Sequence, residues 1–138
     1  MYMIINYLNL IKKDKQLGFI ALSMTDKVKT ANAYIKNVCN REFNPALNMA
    51  IYRRLEKGKE QYGHELRPLD DTTTWGTKQD SWLEMAEEEI ADAIIYLLTN
   101  YLRLVENQTA DETSFQITMH ICRTLSQMHH LTGMIPPE

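Results

Sequence analysis

The chain has 138 residues and a formal net charge of −3, long enough for one domain with a real core. With no basic patch interleaved with aromatics, that charge argues against a nucleic-acid surface. The two cysteines, Cys39 and Cys122, have no CxxC and no nearby His at ligand spacing, so they read as buried thiols of a reducing compartment. Five glycines and four prolines against eight methionines fit an all-helical chain.

In chain order, residues 1–11 (MYMIINYLNLI) resemble a signal peptide only superficially. They lack a basic start and a small-residue cleavage site, and Asn6 and Asn9 interrupt them. The run is too short to span a bilayer, so the expected setting is cytoplasmic, with no membrane partner. Residues 1–22 form an apolar-rich N-terminal extension or extra helix, broken by 12–15 and Gly18. Met24 is an alternative start, with Ser23 or Thr25 as a cap for the next helix. Residues 23–138 are expected to form a single all-α domain.

Val28, Ala31, Ile35 and Val38 recur at helical spacing and predict a helix over 26–40. A break at 40–44 comes next. Asn44-Pro45 then supplies an N-cap and a proline at the first helical position. That helix runs from 45 towards 61 with Leu47, Ile51, Arg54, Leu55 and Gly58 on or near one face, and Gly63 ends it in the left-handed conformation. Residues 64–80 (HELRPLDDTTTWGTKQD) are a long polar loop, which in a compact domain is usually functional or mobile. Its His64, Arg67, Trp75 and Lys78 offer an aromatic for base stacking and cations for phosphate. A plain connector with Trp75 anchored to the core fits equally well.

Residues 81–103 (SWLEMAEEEIADAIIYLLTNYLR) carry most of the functional signal. Ser81-x-x-Glu84 is a capping box. At about 100° per residue, Trp82, Leu83, Ala86, Ile90, Ala93, Ile94 and Leu97 form one apolar stripe. Glu84, Glu88, Glu89 and Asp92 share the opposite arc, which continues into Ile95, Leu98 and Leu102. That continuation places the acids at the mouth of an interior seam, where crowded carboxylates repel and a hard divalent cation relieves them. Acids early in a helix also suit the macrodipole, and solvent-facing decoration is the commoner outcome on spacing alone. Thr109-x-x-Glu112 is a second capping box. The last helix, about 110–131, presents Phe115, Met119, Cys122, Leu125 and Met128/His129, and Gly133 closes it.

Glu56 and Glu60 lie one turn apart on the preceding predicted helix, and antiparallel packing would turn them towards Glu88, Glu89 and Asp92. Surface pairing with Arg53, Lys57 and Lys59 is the simpler alternative. A di-iron site needs Glu-x-x-His pairs, and no histidine here has a Glu three positions before it. Neither cysteine has an evident His and acid partner in sequence for nucleophilic chemistry.

Residues 88–97 (EEIADAIIYL) resemble the EE-x-x-D…YL segment of the all-α, MazG-like NTP pyrophosphohydrolases. Residues 57–66 (KGKEQYGHEL) resemble the KG…YG…L stretch of the short phage-type members, and the likeness covers roughly 45–104. The resemblance implies a four-helix-bundle-like MazG-type fold and Mg²⁺-dependent hydrolysis of a nucleoside triphosphate, deoxynucleotides foremost, to the monophosphate and pyrophosphate. Mn²⁺ is the expected substitute. Glu89 and Asp92 match the ExxD metal ligands, with Glu88 beside them, and Tyr96 matches a position against the nucleotide. The family's second pair is Glu-x-x-Glu, whereas Glu56 and Glu60 are one residue further apart. Glu60 is the better match, and either is a candidate metal ligand and general base. Lys57, Lys59, Tyr62, His64, Arg67, Trp75 and Lys78 complete the substrate-binding set the resemblance implies. It also implies a homo-oligomer, dimer or tetramer, in a bacterial or phage-infected cell.

Overall fold

The computed structural model describes residues 30–136. Among them all regular structure is helical: α1 (Ala31–Glu42), α2 (Pro45–Tyr62), a 3-10 turn (Thr72–Trp75), α3 (Trp82–Glu106) and α4 (Glu112–Thr132). The described chain divides at Asp70/Asp71 into two compact units, one holding α1 and α2, the other the 3-10 turn, α3 and α4. The N-terminal segment 1–22 and the cap candidates Ser23 and Thr25 lie outside the described residues.

In the first unit, α1 spans Ala31–Glu42, and the start expected at Asp26, with Val28, lies outside the described residues. Thr30 has extended backbone, and its hydroxyl accepts from the Ala33 N–H at 3.2 Å, the geometry of an N-cap. The helix passes Asn40 and stops at Phe43, which is also extended, so the break is two residues long. Asn44 Oδ1 accepts from Leu47 N–H at 2.9 Å with Pro45 at the first helical position, as the sequence indicates. Gly63 closes α2 at φ 77°, a conformation that disfavours a Cβ. The two helices are tied by Tyr52, whose hydroxyl donates to Asn40 Oδ1 at 2.6 Å. The Cys39 thiol is buried on α1.

In the second unit, α3 and α4 run antiparallel. Near the turn, Tyr101 meets Phe115 with ring centroids 5.6 Å apart. At the far end, Glu87 faces His129 at 3.9 Å. Cys122 and Thr118 are buried in α4. Both expected capping boxes are corrected in detail. Ser81 does cap α3, accepting from Glu84 N–H at 3.0 Å, but the Glu84 carboxylate accepts from the N–H groups of Lys78 (2.9 Å) and Gln79 (3.1 Å) instead of closing the box. The cap of α4 is Asp111, not Thr109. Asp111 and Ser114 exchange reciprocal bonds of 2.7 and 2.9 Å, while the Thr109 hydroxyl donates to Leu104 O.

The largest departure concerns α3. Trp82, Leu83, Ile90, Ala93, Ile94 and Leu97 are partly buried, as an inward stripe requires, although Ala86 is exposed. The continuation of the acidic arc is not buried: Ile95 is 57% exposed, Leu98 39% and Leu102 61%. The acids therefore do not stand at the mouth of an interior seam. They head a row of apolar side chains open to solvent.

Candidate functional site

In the second unit the acids stand on a long, well-capped helix. Glu88 and Glu89 are exposed and Asp92 is partly buried. Glu89, Asp92 and Tyr96 succeed one another at three- and four-residue steps, so they share a strip of the helix surface. Tyr96 is 67% exposed. Among the described residues no Lys or Arg nitrogen comes within 4.0 Å of Glu60, Glu88, Glu89 or Asp92. Glu84 differs: the backbone N–H of Lys78, then that of Gln79, hold its carboxyl below the usual range. It is committed to the loop that precedes the helix.

That loop is built, not slack. Thr72 is fully buried, and its hydroxyl accepts from Ser81 N–H at 2.7 Å and meets the Thr77 hydroxyl at 2.8 Å. Thr77 in turn donates to Gln79 O at 2.6 Å, and Asp80 accepts from Thr72 N–H at 3.0 Å. Asp71 caps the 3-10 turn, and its bonds from the Thr73 hydroxyl and N–H lower its carboxyl. Gly76 at φ 103° lets the chain turn back. Trp75 thereby lies against Trp82, ring centroids 5.5 Å apart and planes tilted 41°. Lys78 is presented beside the start of α3 and forms no ion pair among the described residues. Thr72, Thr77 and Asp80 were not flagged by sequence reasoning. The signal was the Thr/Asp-rich run itself, whose short side chains bond to nearby backbone.

The first unit carries the other candidates. Glu56 pairs with Lys36 of α1 at 3.3 Å, rather than with Arg53, Lys57 or Lys59, and the same Lys36 ammonium lies 5.5 Å from the Tyr52 ring centroid. Lys59 reaches Glu65 at 3.9 Å. Glu60, Lys57 and Tyr62 are exposed on α2. His64 Nδ1 lies 2.7 Å from Glu65 O, which can only accept, while the Arg67 guanidinium, which can only donate, reaches Nε2. Arg67 also donates from Nε to Asp70 at 3.3 Å. Thr30, Ala31 and residues 64–69 line an open, mainly apolar cleft of about 430 Å³ in this unit.

Among the described residues no group of three or more His, Cys, Asp or Glu side chains is arranged to hold a metal ion. No described helix is long and apolar enough to cross a membrane. Comparison with protein-family models, curated proteins and solved structures finds no match to this chain.

Proposed function

We propose that this chain is a Mg²⁺-dependent nucleoside triphosphate pyrophosphohydrolase of the MazG-like kind, converting (d)NTP and water to (d)NMP and pyrophosphate, with deoxynucleotides the first candidates. One observation carries the reading: Glu88, Glu89 and Asp92 crowd little more than one turn of α3 with no cationic side chain beside them among the described residues. Such crowding is unfavourable unless a cation relieves it. Mg²⁺ is commonly held by one or two carboxylates, its other positions being filled by water and substrate phosphates. Glu89 and Asp92 provide a pair of that size on one strip, so a three-residue protein cage is not required. When bound, Mg²⁺ or its substitute Mn²⁺ would neutralise the polyphosphate and polarise a water.

The chain's own residues take the remaining roles in the proposal. Trp75 and Tyr96 offer faces for a base. Lys57, Lys59, Arg67 and Lys78, with His64 and Tyr62, are the candidates to steady phosphate charge. Glu60, with no described Lys or Arg nitrogen within 4.0 Å, is the proposed carboxylate to take the proton of the attacking water. Glu56, held by Lys36, is the second candidate. Attack at the α-phosphorus breaks the α–β anhydride and releases pyrophosphate. The four described helices are the number a MazG-type fold calls for, and the buried free thiols suit a cytoplasmic setting. A homo-oligomer, dimer or tetramer, belongs to the same proposal.

The test is a panel of all dNTPs and NTPs with and without Mg²⁺, reading pyrophosphate release. Turnover of at least one nucleotide that stops on chelation is expected. Silence across the panel from folded protein rejects the reading. The alternative is a non-catalytic helical oligomer that binds a nucleotide or a protein. It is favoured by the exposed apolar row on α3, which no hydrolytic step uses.

A further inference from the structure

Lys78 combines a fixed backbone with a free head. Its own N–H donates to Glu84 Oε1 at 2.9 Å and the N–H of Gln79 to Oε2 at 3.1 Å, so one carboxylate spans two consecutive donors. On the other side, the buried Thr77 hydroxyl donates to Gln79 O at 2.6 Å and meets the buried Thr72 hydroxyl at 2.8 Å. Glu84 is fixed in turn, because its N–H donates to Ser81 Oγ at 3.0 Å in the first turn of α3. The Lys78 side chain is exposed and forms no ion pair among the described residues. Its ammonium still acts on Glu84, whose carboxyl is held low first by the Lys78 and Gln79 N–H groups and, less strongly, by the Lys78 charge. The other cations proposed for phosphate are placed differently. Lys59 is paired with Glu65 at 3.9 Å and Arg67 with Asp70 at 3.3 Å. Lys57 stands on α2, in the unit without the α3 acids. Of the four, Lys78 alone is bonded directly to the helix that carries Glu88, Glu89 and Asp92, and its anchor Glu84 lies one turn before Glu88.

We infer that Glu84 is a positioning residue: it fixes the backbone of Lys78 so that the Lys78 ammonium contacts the polyphosphate of the substrate. The inference rests on the pyrophosphohydrolase reading for the identity of that ligand, and it gives Glu84 to the loop, not to a metal. A lysine that grips a phosphate loses rotamer freedom. Holding its backbone beforehand leaves less of the chain to be ordered on binding, which raises affinity. The Glu84 carboxylate is also a negative charge, and its field alone opposes an anionic ligand. Position and field therefore act on affinity with opposite signs. Removing Glu84 weakens polyphosphate binding if position dominates and strengthens it if only the field matters. The effect of position exists only while Lys78 is there to be positioned, so it vanishes when Lys78 is absent, whereas a general loosening of the fold persists.

Calorimetric titration of the full chain with inorganic tripolyphosphate in Mg²⁺ buffer tests it. The variants are Lys78→Ala, Lys78→Arg, Glu84→Ala, the double variant Lys78→Ala/Glu84→Ala, and Arg103→Ala, which removes a cation from the far end of α3. Wild type should bind. Lys78→Ala should weaken binding about tenfold or more, the scale of one hydrogen bond to a charged group, and Lys78→Arg should keep most of the affinity. Arg103→Ala should leave it unchanged. Glu84→Ala should weaken binding although it removes a negative charge, and should no longer weaken it once Lys78 is alanine. Glu84→Gln, which removes the same charge but keeps one acceptor oxygen, should weaken it less, and the same comparison is read on it if Glu84→Ala does not fold. Four results overturn the inference. One is a wild type that does not bind tripolyphosphate, and another is an Arg103→Ala loss equal to that of Lys78→Ala. A third is stronger binding on substitution of Glu84. The fourth is an equal Glu84 loss with and without Lys78, the mark of general support to the fold. Pyrophosphate release from nucleotides, read in parallel, separates the two claims. Turnover with Lys78→Ala affinity equal to wild type keeps the enzymatic reading and rejects the positioning one, and Lys78-dependent binding without turnover of any nucleotide does the reverse.

Discussion

At the residue scale, Thr72 and Glu84 organise the approach to α3. Thr72→Val replaces a fully buried hydroxyl with a methyl, strips Ser81 N–H of its acceptor and removes the bond to the Thr77 hydroxyl, which keeps Gln79 O. Leaving buried polar groups unpaired costs about 1–3 kcal/mol, so the denaturation midpoint should fall, while Thr72→Ser should retain most of the stability. An unchanged midpoint for Thr72→Val would contradict the role. Glu84 acts through charge. Its carboxyl is held below its ordinary value of 4.5 in the fold, so its contribution is complete above about pH 4.5 and is lost as pH falls through the lowered folded value. Asp71 and Asp111, lowered by the Thr73 hydroxyl and the Ser114 N–H respectively, act in the same direction. Acid titration monitored by tryptophan fluorescence, which reports the Trp75–Trp82 pair, should show the loop loosening below that pH. Glu84→Gln should flatten the acid limb. The role of Glu84 was not legible in the residues, because Ser81-x-x-Glu84 reads as a closed box until the preceding loop is seen to offer the carboxylate two better-placed donors.

At the element scale, the helices were largely legible and their ends partly so. Asn44-Pro45 and Gly63 act locally, through one side-chain bond and one backbone angle, and local signals survive folding intact. The start of α4 misled because two cap residues stand two positions apart. Thr109 comes after Gln108, whose φ of 59° turns the chain, and its hydroxyl returns to Leu104, leaving Asp111 to cap. Asp111→Ala should therefore lower the thermal midpoint and helical signal, and Thr109→Ala should leave both nearly unchanged. Equal effects would contradict the assignment. The inward stripe of α3 was legible from its spacing. The fate of Ile95, Leu98 and Leu102 was not. Spacing says that a face is apolar, but not whether its own domain or another molecule covers it. On the acidic strip, Glu89→Ala and Asp92→Ala each remove like-charge repulsion. The thermal midpoint should hold or rise in metal-free buffer, and a marked fall would place these acids in the structural framework instead.

At the scale of the whole molecule, the all-helical class was readable from composition and periodicity, since few glycines and prolines and four periodic segments leave little else. Division into two compact units was not, because the junction at Asp70/Asp71 sits inside a stretch that looks like one long loop. Its second half is in fact a bonded element belonging to α3. The chemical reading rests on carboxylates that attract no described lysine or arginine while neighbouring acids do find partners. Glu56 has Lys36, and Glu84 has two backbone N–H groups. The most direct measurement is pyrophosphate release from the best deoxynucleotide, with Mg²⁺, by wild type, Glu89→Gln and Asp92→Asn. Turnover by wild type and a loss of about 100-fold or more in each variant, the scale of removing one charge-stabilising group, is the predicted result. Wild-type turnover that survives both neutralisations, or no turnover of any nucleotide, would contradict it.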